Sequence, residues 1–176
     1  MDYFDQFCIP FTGLATGEHR FNLVIRDEFF ERYNYSDLRK GDLTVGLILD
    51  KQEGMLTLTF DIAGTVEVIC DRCLEYYDQP VAGREKLYIR FGKDFNEETD
   101  EIMIIPYTEQ QIDVGHYIYE YINLLIPYRR VHPDDDHGES TCNRDVIRKL
   151  QEYQRHDVAD PRWEVLNNLR NDLDKN

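Results

Sequence analysis

The stretch LTLTFDIAGTVEVICDRC, residues 56–73, decides the fold of this 176-residue chain. Seven apolar side chains fall on successive even positions from Leu56 to Cys70, and only Gly64 interrupts their alternation. A period of two places successive side chains on opposite faces of a strand, and a glycine inside such a run is typical of a bend or bulge. The stretch therefore predicts one long β-strand with a buried face, and Cys70 faces inward at its far end.

The segments on either side of this strand predict further strands. Upstream, GDLTVGLILD at 41–50 alternates in the same way, and the turn KQEG at 51–54 joins it to the long strand. Downstream, VAGREKLYIRFG at 81–92 alternates with Leu87 and Ile89 on the inward face. The CxxC motif at the end of the long strand is thus predicted to lie near a tip that connects two antiparallel strands.

Residues 113–130, DVGHYIYEYINLLIPYRR, change the period from that of a strand to that of a helix. Their apolar residues recur at helical spacing, with Asp113 as a candidate cap and Pro127 as the stop. Two shorter amphipathic segments follow at 142–154 and 159–173, and each predicts a helix. The strands therefore precede the helices along the chain.

This order of elements indicates an α+β fold. We expect a mostly antiparallel sheet or a partly open barrel, with one long helix packed on it and further helices at the C-terminus. Residues 1–142 are predicted to form this domain, and residues 143–176 a helical extension packed on or beside it. The acidic segment KDFNEETDE at 93–101 is expected to be a solvated loop.

The composition is that of a folded, acidic protein. Its 20 Lys and Arg residues and 35 Asp and Glu residues give a formal net charge of -15. This charge opposes general binding to phosphate backbones and favours basic partners. The alternative is that the acidic residues serve only to keep the protein soluble. From the pattern of apolar residues we expect neither a membrane span nor a signal peptide, and the four cysteines are unevenly spaced. A cytoplasmic location is therefore expected.

Cys70 and Cys73 supply two thiols at the spacing with which a tight turn chelates a metal ion. The polar loop after the main helix holds a third thiol, Cys142, beside His132 and His137. Because structural zinc takes four such ligands, we predict a site with three thiolates and one imidazole. Its ligands would be Cys70, Cys73, Cys142 and His137. The alternative is that these cysteines only pack in the core or stand in a turn.

Dithiol redox chemistry is another interpretation of the CxxC pair. In a thioredoxin-type site the first thiol lies at a helix N-terminus, whose dipole lowers its pKa. The residues that follow here, LEYYDQPV at 74–81, start a helix poorly and suit a strand or turn. The sequence also lacks a glycine-rich phosphate loop and an ordered calcium loop. We therefore expect a protein that is not an enzyme.

One predicted strand departs locally from the acidic character. Its outward face carries three cations and an aromatic ring, from Arg84, Lys86, Tyr88 and Arg90. Cations beside a stacking ring are typical of surfaces that follow a nucleic-acid backbone, so this stripe is a candidate for direct RNA contact. The alternative is a charged outer sheet face that opposes aggregation.

Three motifs occur in a defined order along the chain. A predicted strand ends in Cys-x-Arg-Cys-Leu at 70–74, and an acidic loop follows it. The main helix begins at Ile-Asp-Val, 112–114, and its end carries Leu-x-x-Pro, 124–127. In this order the chain resembles the YceD family, the large ribosomal RNA subunit accumulation proteins, over about residues 40–145.

The resemblance implies a role in the accumulation of large-subunit ribosomal RNA, and it implies no reaction. An adaptor or assembly factor fits that role, because an acidic protein can hold a basic ribosomal protein or a large-subunit precursor by charge complementarity. The alternatives are direct binding of ribosomal RNA and CxxC-based thiol oxidoreduction. The chain departs from the family after the main helix, where many members carry a Cys-x-Gly-Leu-Cys-like segment and only Cys142 stands here.

Overall fold

A computed structural model of the chain describes most of its length. The described residues are 3–33, 37–93, 95–99 and 102–154. The chain groups into two compact units, one ending at Val131 and one beginning at His132. This grouping divides the chain earlier than the domain boundary that we predict after residue 142, and that boundary remains a prediction.

The first unit consists mainly of strands. A 3-10 helix at Tyr3–Phe7 precedes them. The strands are β1 Cys8–Pro10, β2 Gly17–Ile25, β3 Gly41–Gln52, β4 Met55–Ile69, β5 Tyr76–Gly92, β6 Asn96–Thr99, β7 Ile102–Pro106 and β8 Gln111–Asp113. Two helices accompany them, α1 Asp27–Glu31 and α2 Gly115–Leu125.

The strands form one large sheet and one small pair. The large sheet has the order β2–β3–β4–β5–β7–β6, and β1 pairs with β8. Neighbouring strands are antiparallel except β5 and β7, which are parallel. In the described chain β2 and β6 are edges that do not pair with each other, so the large sheet does not close into a barrel. The prediction of an α+β fold with a mostly antiparallel sheet is confirmed.

The alternation in β4 determines which face of the sheet is buried. Its even-numbered apolar side chains are at most 3 % exposed, namely Leu56, Leu58, Phe60, Ile62, Val66 and Val68. Gly64 has φ of +152°, and a Cβ there would overlap the backbone oxygen of Asp42 in β3. Only glycine therefore allows the two strands to stay paired at this position, and the same parity continues beyond it to Cys70.

Helix α2 covers the buried face of the sheet. Ile122 is fully buried, and the ring of Tyr121 lies 5.3 Å from the ring of Phe60 in β4. A Cβ at Gly83 in β5 would overlap the side chain of Leu125, so the glycine makes room for the end of the helix. Helical spacing of apolar residues and the inward face of the sheet thus meet in one core.

Two features differ from the sequence-based expectations. Helix α2 has eleven residues and ends before the extended Ile126, because the residue before a proline is disfavoured in helical conformation. The prediction of one long helix is therefore not confirmed. The solvated loop predicted over 93–101 is wrong at β6, which pairs with β7 through its backbone. The pairing depends on main-chain groups, so the acidic composition of this segment does not reveal it.

The described part of the second unit is a loop followed by helix α3, Arg144–Gln154. The side-chain oxygen of Asn143 accepts a hydrogen bond of 3.0 Å from the N–H of Asp145, which satisfies a free donor of the first helical turn. The helix predicted at 159–173 lies outside the described residues. Among the described helices, none has the length and apolar character needed to cross a bilayer.

Candidate metal centre

The Cys70–Cys73 pair lies in the turn that joins β4 to β5. Both thiols are buried, at 0 % and 5 % exposure. The N–H of Leu74 donates to the carbonyl oxygen of Cys70 at 2.9 Å, which closes the turn. The N–H of Arg72 lies 3.4 Å from the Cys70 Sγ and donates to it. Because a donor aimed at sulfur favours the charged form, the backbone of this turn suits a thiolate that binds a metal ion.

Leu74 follows the second cysteine in an unusual conformation. Its φ is +61°, the one positive value among the described residues other than glycine. The left-handed region is unfavourable for a bulky L-residue, yet this conformation turns the chain back so that the Glu75 carbonyl oxygen accepts the Cys70 N–H at 2.9 Å. The side chain is 75 % exposed, so it does not contribute to the core.

A reciprocal contact holds the chain after α2 at the same turn. The N–H of Asp71 donates to the carbonyl oxygen of Arg130 at 2.7 Å, and the Asp71 carboxylate accepts the Arg130 N–H at 2.7 Å. The Arg130 guanidinium also lies 3.6 Å from that carboxylate. His132 is two residues further along the chain, so covalent geometry keeps its Cα within about 7 Å of the Arg130 Cα.

The loop that begins at His132 brings its own two ends together. The Thr141 hydroxyl donates to the carbonyl oxygen of Pro133 at 2.6 Å, and the Cys142 N–H donates to the Ser140 hydroxyl at 3.3 Å. As a result, the Cys142 Sγ lies 3.7 Å from the Nδ1 of His132. A thiol and an imidazole nitrogen at this separation can serve as two ligands of one metal ion.

Three thiols and one imidazole converge in the structure. Their ligand atoms all lie within 4.8 Å of one another, in Cys70, Cys73, His132 and Cys142. In a tetrahedral site with bonds of about 2.3 Å to sulfur, ligand atoms stand about 3.8 Å apart. The donors match such a site in number and type, and they lie close to the required spacing. These four residues can therefore hold a metal ion.

The histidine of this cluster is His132, whereas the sequence-based prediction names His137. The structure places His137 in an exposed turn, where its N–H donates to the Asp135 carboxylate at 2.9 Å. Both histidines precede Cys142 in one polar loop, so spacing along the chain does not choose between them. One feature of the sequence favours His132: it lies before the acidic run at 134–136 and Cys142 lies after it, so the two residues stand at opposite ends of the loop.

The surroundings of the CxxC turn differ from those of a thioredoxin-type site. The chain continues from the turn into β5, so no helix N-terminus follows the cysteines. The fourth cysteine, Cys8, stands outside the cluster. Burial and the nearby Asp113 carboxylate raise the pKa of the Cys8 thiol, which disfavours its thiolate.

The basic stripe lies on β5 with the predicted orientation. Its residues alternate with the buried Leu87 and Ile89, and all four face away from the core: Arg84, Lys86, Tyr88 and Arg90. Arg84 forms an ion pair with Asp61 on the neighbouring β4, and this hydrogen bond lowers the pKa of the Asp61 carboxyl. One of the three cations is thus already neutralised. RNA contact through this stripe stays a prediction.

The fold and the cluster define a class: acidic α+β proteins with one open sheet and a thiol-rich ligand set at the end of its longest hairpin. The chain matches the model of the family described as large ribosomal RNA subunit accumulation protein YceD over residues 58–170. The match covers more than half of the chain, and the protein belongs to this family, as the sequence motifs imply. No curated protein and no solved structure matches the chain.

Proposed function

We propose that the protein is a non-enzymatic adaptor or assembly factor in the biogenesis of the large ribosomal subunit. It acts in the cytoplasm by binding a basic ribosomal protein or assembly factor. The observation that carries this proposal is the family match over residues 58–170, because the family description names the accumulation of large-subunit ribosomal RNA. The proposal assigns a binding role rather than a reaction to the chain.

The charge of the chain supports a basic partner. The formal net charge is -15, and several cationic side chains of the first unit form ion pairs with carboxylates of the same unit. Arg26 pairs with Asp42 and Arg84 pairs with Asp61. The excess of acidic groups therefore dominates the field that an approaching molecule meets, which attracts basic proteins and repels phosphate backbones.

We further propose that the cluster of Cys70, Cys73, His132 and Cys142 binds zinc in a structural role. Three thiolates and one imidazole complete a tetrahedron, and such a closed set leaves no position for a substrate or a reactive water. The N–H of Arg72 that donates to the Cys70 Sγ supports a thiolate ligand at this position. A bound ion would make the end of the hairpin rigid, which suits a surface that must keep its shape for a partner.

Affinity purification of the tagged full-length chain from its own cells tests the adaptor role. We expect large-subunit precursors or basic ribosomal proteins to be recovered with it, and a deletion strain to accumulate less large-subunit RNA relative to small-subunit RNA. An unrelated acidic protein of similar size and charge, tagged in the same way, is the control. Normal ribosomal RNA in the deletion strain, together with recovery of neither partner, would reject the proposal.

A further inference from the structure

The tip of the β4–β5 hairpin exposes large apolar side chains. Ile69 and Tyr76 are direct cross-strand partners on the outward face, and they are 37 % and 60 % exposed. Leu74, in the turn beyond this pair, is 75 % exposed. We name Ile69, Leu74 and Tyr76 the hairpin-tip patch. Adjoining exposed apolar residues of this size are typical of surfaces that contact another molecule.

The conformation of Leu74 strengthens this interpretation. At φ of +61°, glycine or asparagine would fit with less strain than leucine. The turn needs only the backbone here, because the hydrogen bond that closes it runs from the Leu74 N–H to the Cys70 carbonyl. The Leu74 side chain is strained and exposed, so a smaller residue at this position would make the fold more stable. Strain of this kind points to a role in function.

An acidic depression of about 760 Å³ continues from this patch along the outward face. The cross-strand pair Glu67 and Asp78 belongs to its lining and lies two residues from the pair Ile69 and Tyr76, which is about 7 Å along the strands. Five carboxylates line the depression, those of Asp27, Glu28, Asp42, Glu67 and Asp78. The apolar patch and the depression therefore form one continuous surface.

The two cations of the depression are already paired within it. Arg26 contacts Asp42, and the Lys40 ammonium lies 3.1 Å from Glu67. Among the described residues, no ion pair neutralises the other three carboxylates, on Asp27, Glu28 and Asp78. The depression thus keeps a net negative charge that lysine or arginine side chains of a partner can neutralise.

We propose that the hairpin-tip patch and the acidic depression together dock a lysine- or arginine-rich segment of a large-subunit ribosomal protein. An apolar side chain of that segment packs on Leu74, and its cations enter the depression. This inference rests on the proposed adaptor function and assigns it a surface and a partner chemistry. RNA is disfavoured as the occupant, because the unneutralised carboxylates would face its phosphates.

The test uses total protein extracted from large ribosomal subunits as the probe and the full-length chain as the immobilised bait. Each retained ribosomal protein is purified, and its dissociation constant is measured at several salt concentrations. Leu74→Asn removes the apolar side chain and keeps a residue that accepts positive φ, and Asp78→Lys reverses one charge of the depression. Leu124→Gln is the matched control, since Leu124 is 74 % exposed on α2.

We expect Leu74→Asn to raise the dissociation constant at least about tenfold without lowering the unfolding midpoint, as for an interface anchor. Asp78→Lys is expected to weaken binding and to flatten its salt dependence, and Leu124→Gln to stay within about twofold of wild type. Tyr76→Ser, which leaves the turn unchanged, provides an independent test of the patch and is also expected to weaken binding.

The wild-type chain could retain a ribosomal protein that all three variants bind equally tightly, namely Leu74→Asn, Tyr76→Ser and Asp78→Lys. That result would overturn the docking surface and leave the adaptor function standing. A wild-type chain that retains no ribosomal protein would overturn the docking surface, and it would overturn the adaptor function as well only if ribosomal RNA were normal in the deletion strain. Sedimentation that shows a dimer dissociated by Leu74→Asn, without an effect on ribosomal protein binding, would identify a second copy as the occupant and overturn the proposal.

Discussion

The two turns at the ends of β4 each contain a residue with positive φ, but the residue is glycine in one turn and leucine in the other. At the first turn, Gly54 adopts φ of +83°, and glycine occupies this region without strain. At the second turn, Leu74 adopts φ of +61° although its side chain is exposed. The first turn therefore has the residue that favours folding, whereas the second has one that folding alone would not favour.

The second turn differs also in its chemical surroundings. Cys70 and Cys73 belong to the cluster of four ligand atoms, while the turn at Gly54 is a plain connection between β3 and β4. Apolar packing is non-directional and tolerates small shifts, but metal ligands must keep fixed distances and angles. The first turn follows the demands of folding, whereas the second carries the ligand atoms of the proposed zinc site, and this leads to separate expectations for each end.

Loss of the metal is expected to have the largest effect, and it should be confined to the second turn. We expect about one zinc per chain by elemental analysis of the purified protein, and a loss of this zinc in Cys142→Ser. Structural zinc supplies binding energy on the order of 10 kcal/mol in small domains, so hydrogen exchange should increase at residues 70–74 after chelation. The turn at Gly54 should keep its protection.

Cys8→Ser is the matched control for this prediction, because Cys8 lies outside the cluster. It should retain the zinc of the wild-type chain. A purified protein that holds no zinc after growth with zinc in the medium, and whose residues 70–74 are as protected as the rest of the hairpin, would contradict a structural metal at this end of β4.

Replacement of the glycine in the first turn is expected to have the next largest effect. Gly54→Leu places a bulky residue at φ of +83°, and a Cβ there meets no atom within 4 Å. The penalty is therefore one of backbone conformation alone, about 1–2 kcal/mol in the free energy of unfolding. Urea denaturation at equilibrium measures it. An unchanged midpoint would mean that this turn shifts to another conformation without loss of stability.

The reverse substitution in the second turn is expected to act in the opposite direction. Leu74→Gly relieves the conformational strain, and the greater freedom of glycine in the unfolded chain offsets part of that gain. We expect a rise of about 0.5 kcal/mol in the free energy of unfolding, measured on the zinc-loaded protein. A loss of more than about 1 kcal/mol would show that the Leu74 side chain supports the fold, which would remove the contrast between the two turns.

The ion pair in the middle of the hairpin should give the smallest effect. The Arg84 guanidinium lowers the pKa of the Asp61 carboxyl in the folded state. A lowered folded-state pKa contributes stability above the unfolded value of about 3.9, and this contribution is lost as pH falls through the folded pKa. In Arg84→Gln, a titration followed by NMR should show the Asp61 pKa rising towards its ordinary value. Since both side chains are exposed, stability at neutral pH should hardly change.

Much of the framework follows from local patterns in the sequence. The alternation from Leu56 to Cys70 predicts a strand and its buried face, and the helical spacing before Pro127 predicts α2. These predictions succeed because the period of apolar residues depends only on local backbone geometry. The ordered motifs likewise identify the family, and the CxxC spacing identifies two of the four residues in the candidate ligand cluster.

Other features were decided only by the tertiary structure. The parallel pairing of β5 with β7, and the strand β6 within an acidic segment, depend on main-chain hydrogen bonds that side-chain patterns do not encode. The choice of His132 over His137 depends on the closure of one loop by the hydroxyl of Thr141. Contacts between residues far apart in sequence made these choices, because a local pattern carries no information about which distant groups will meet.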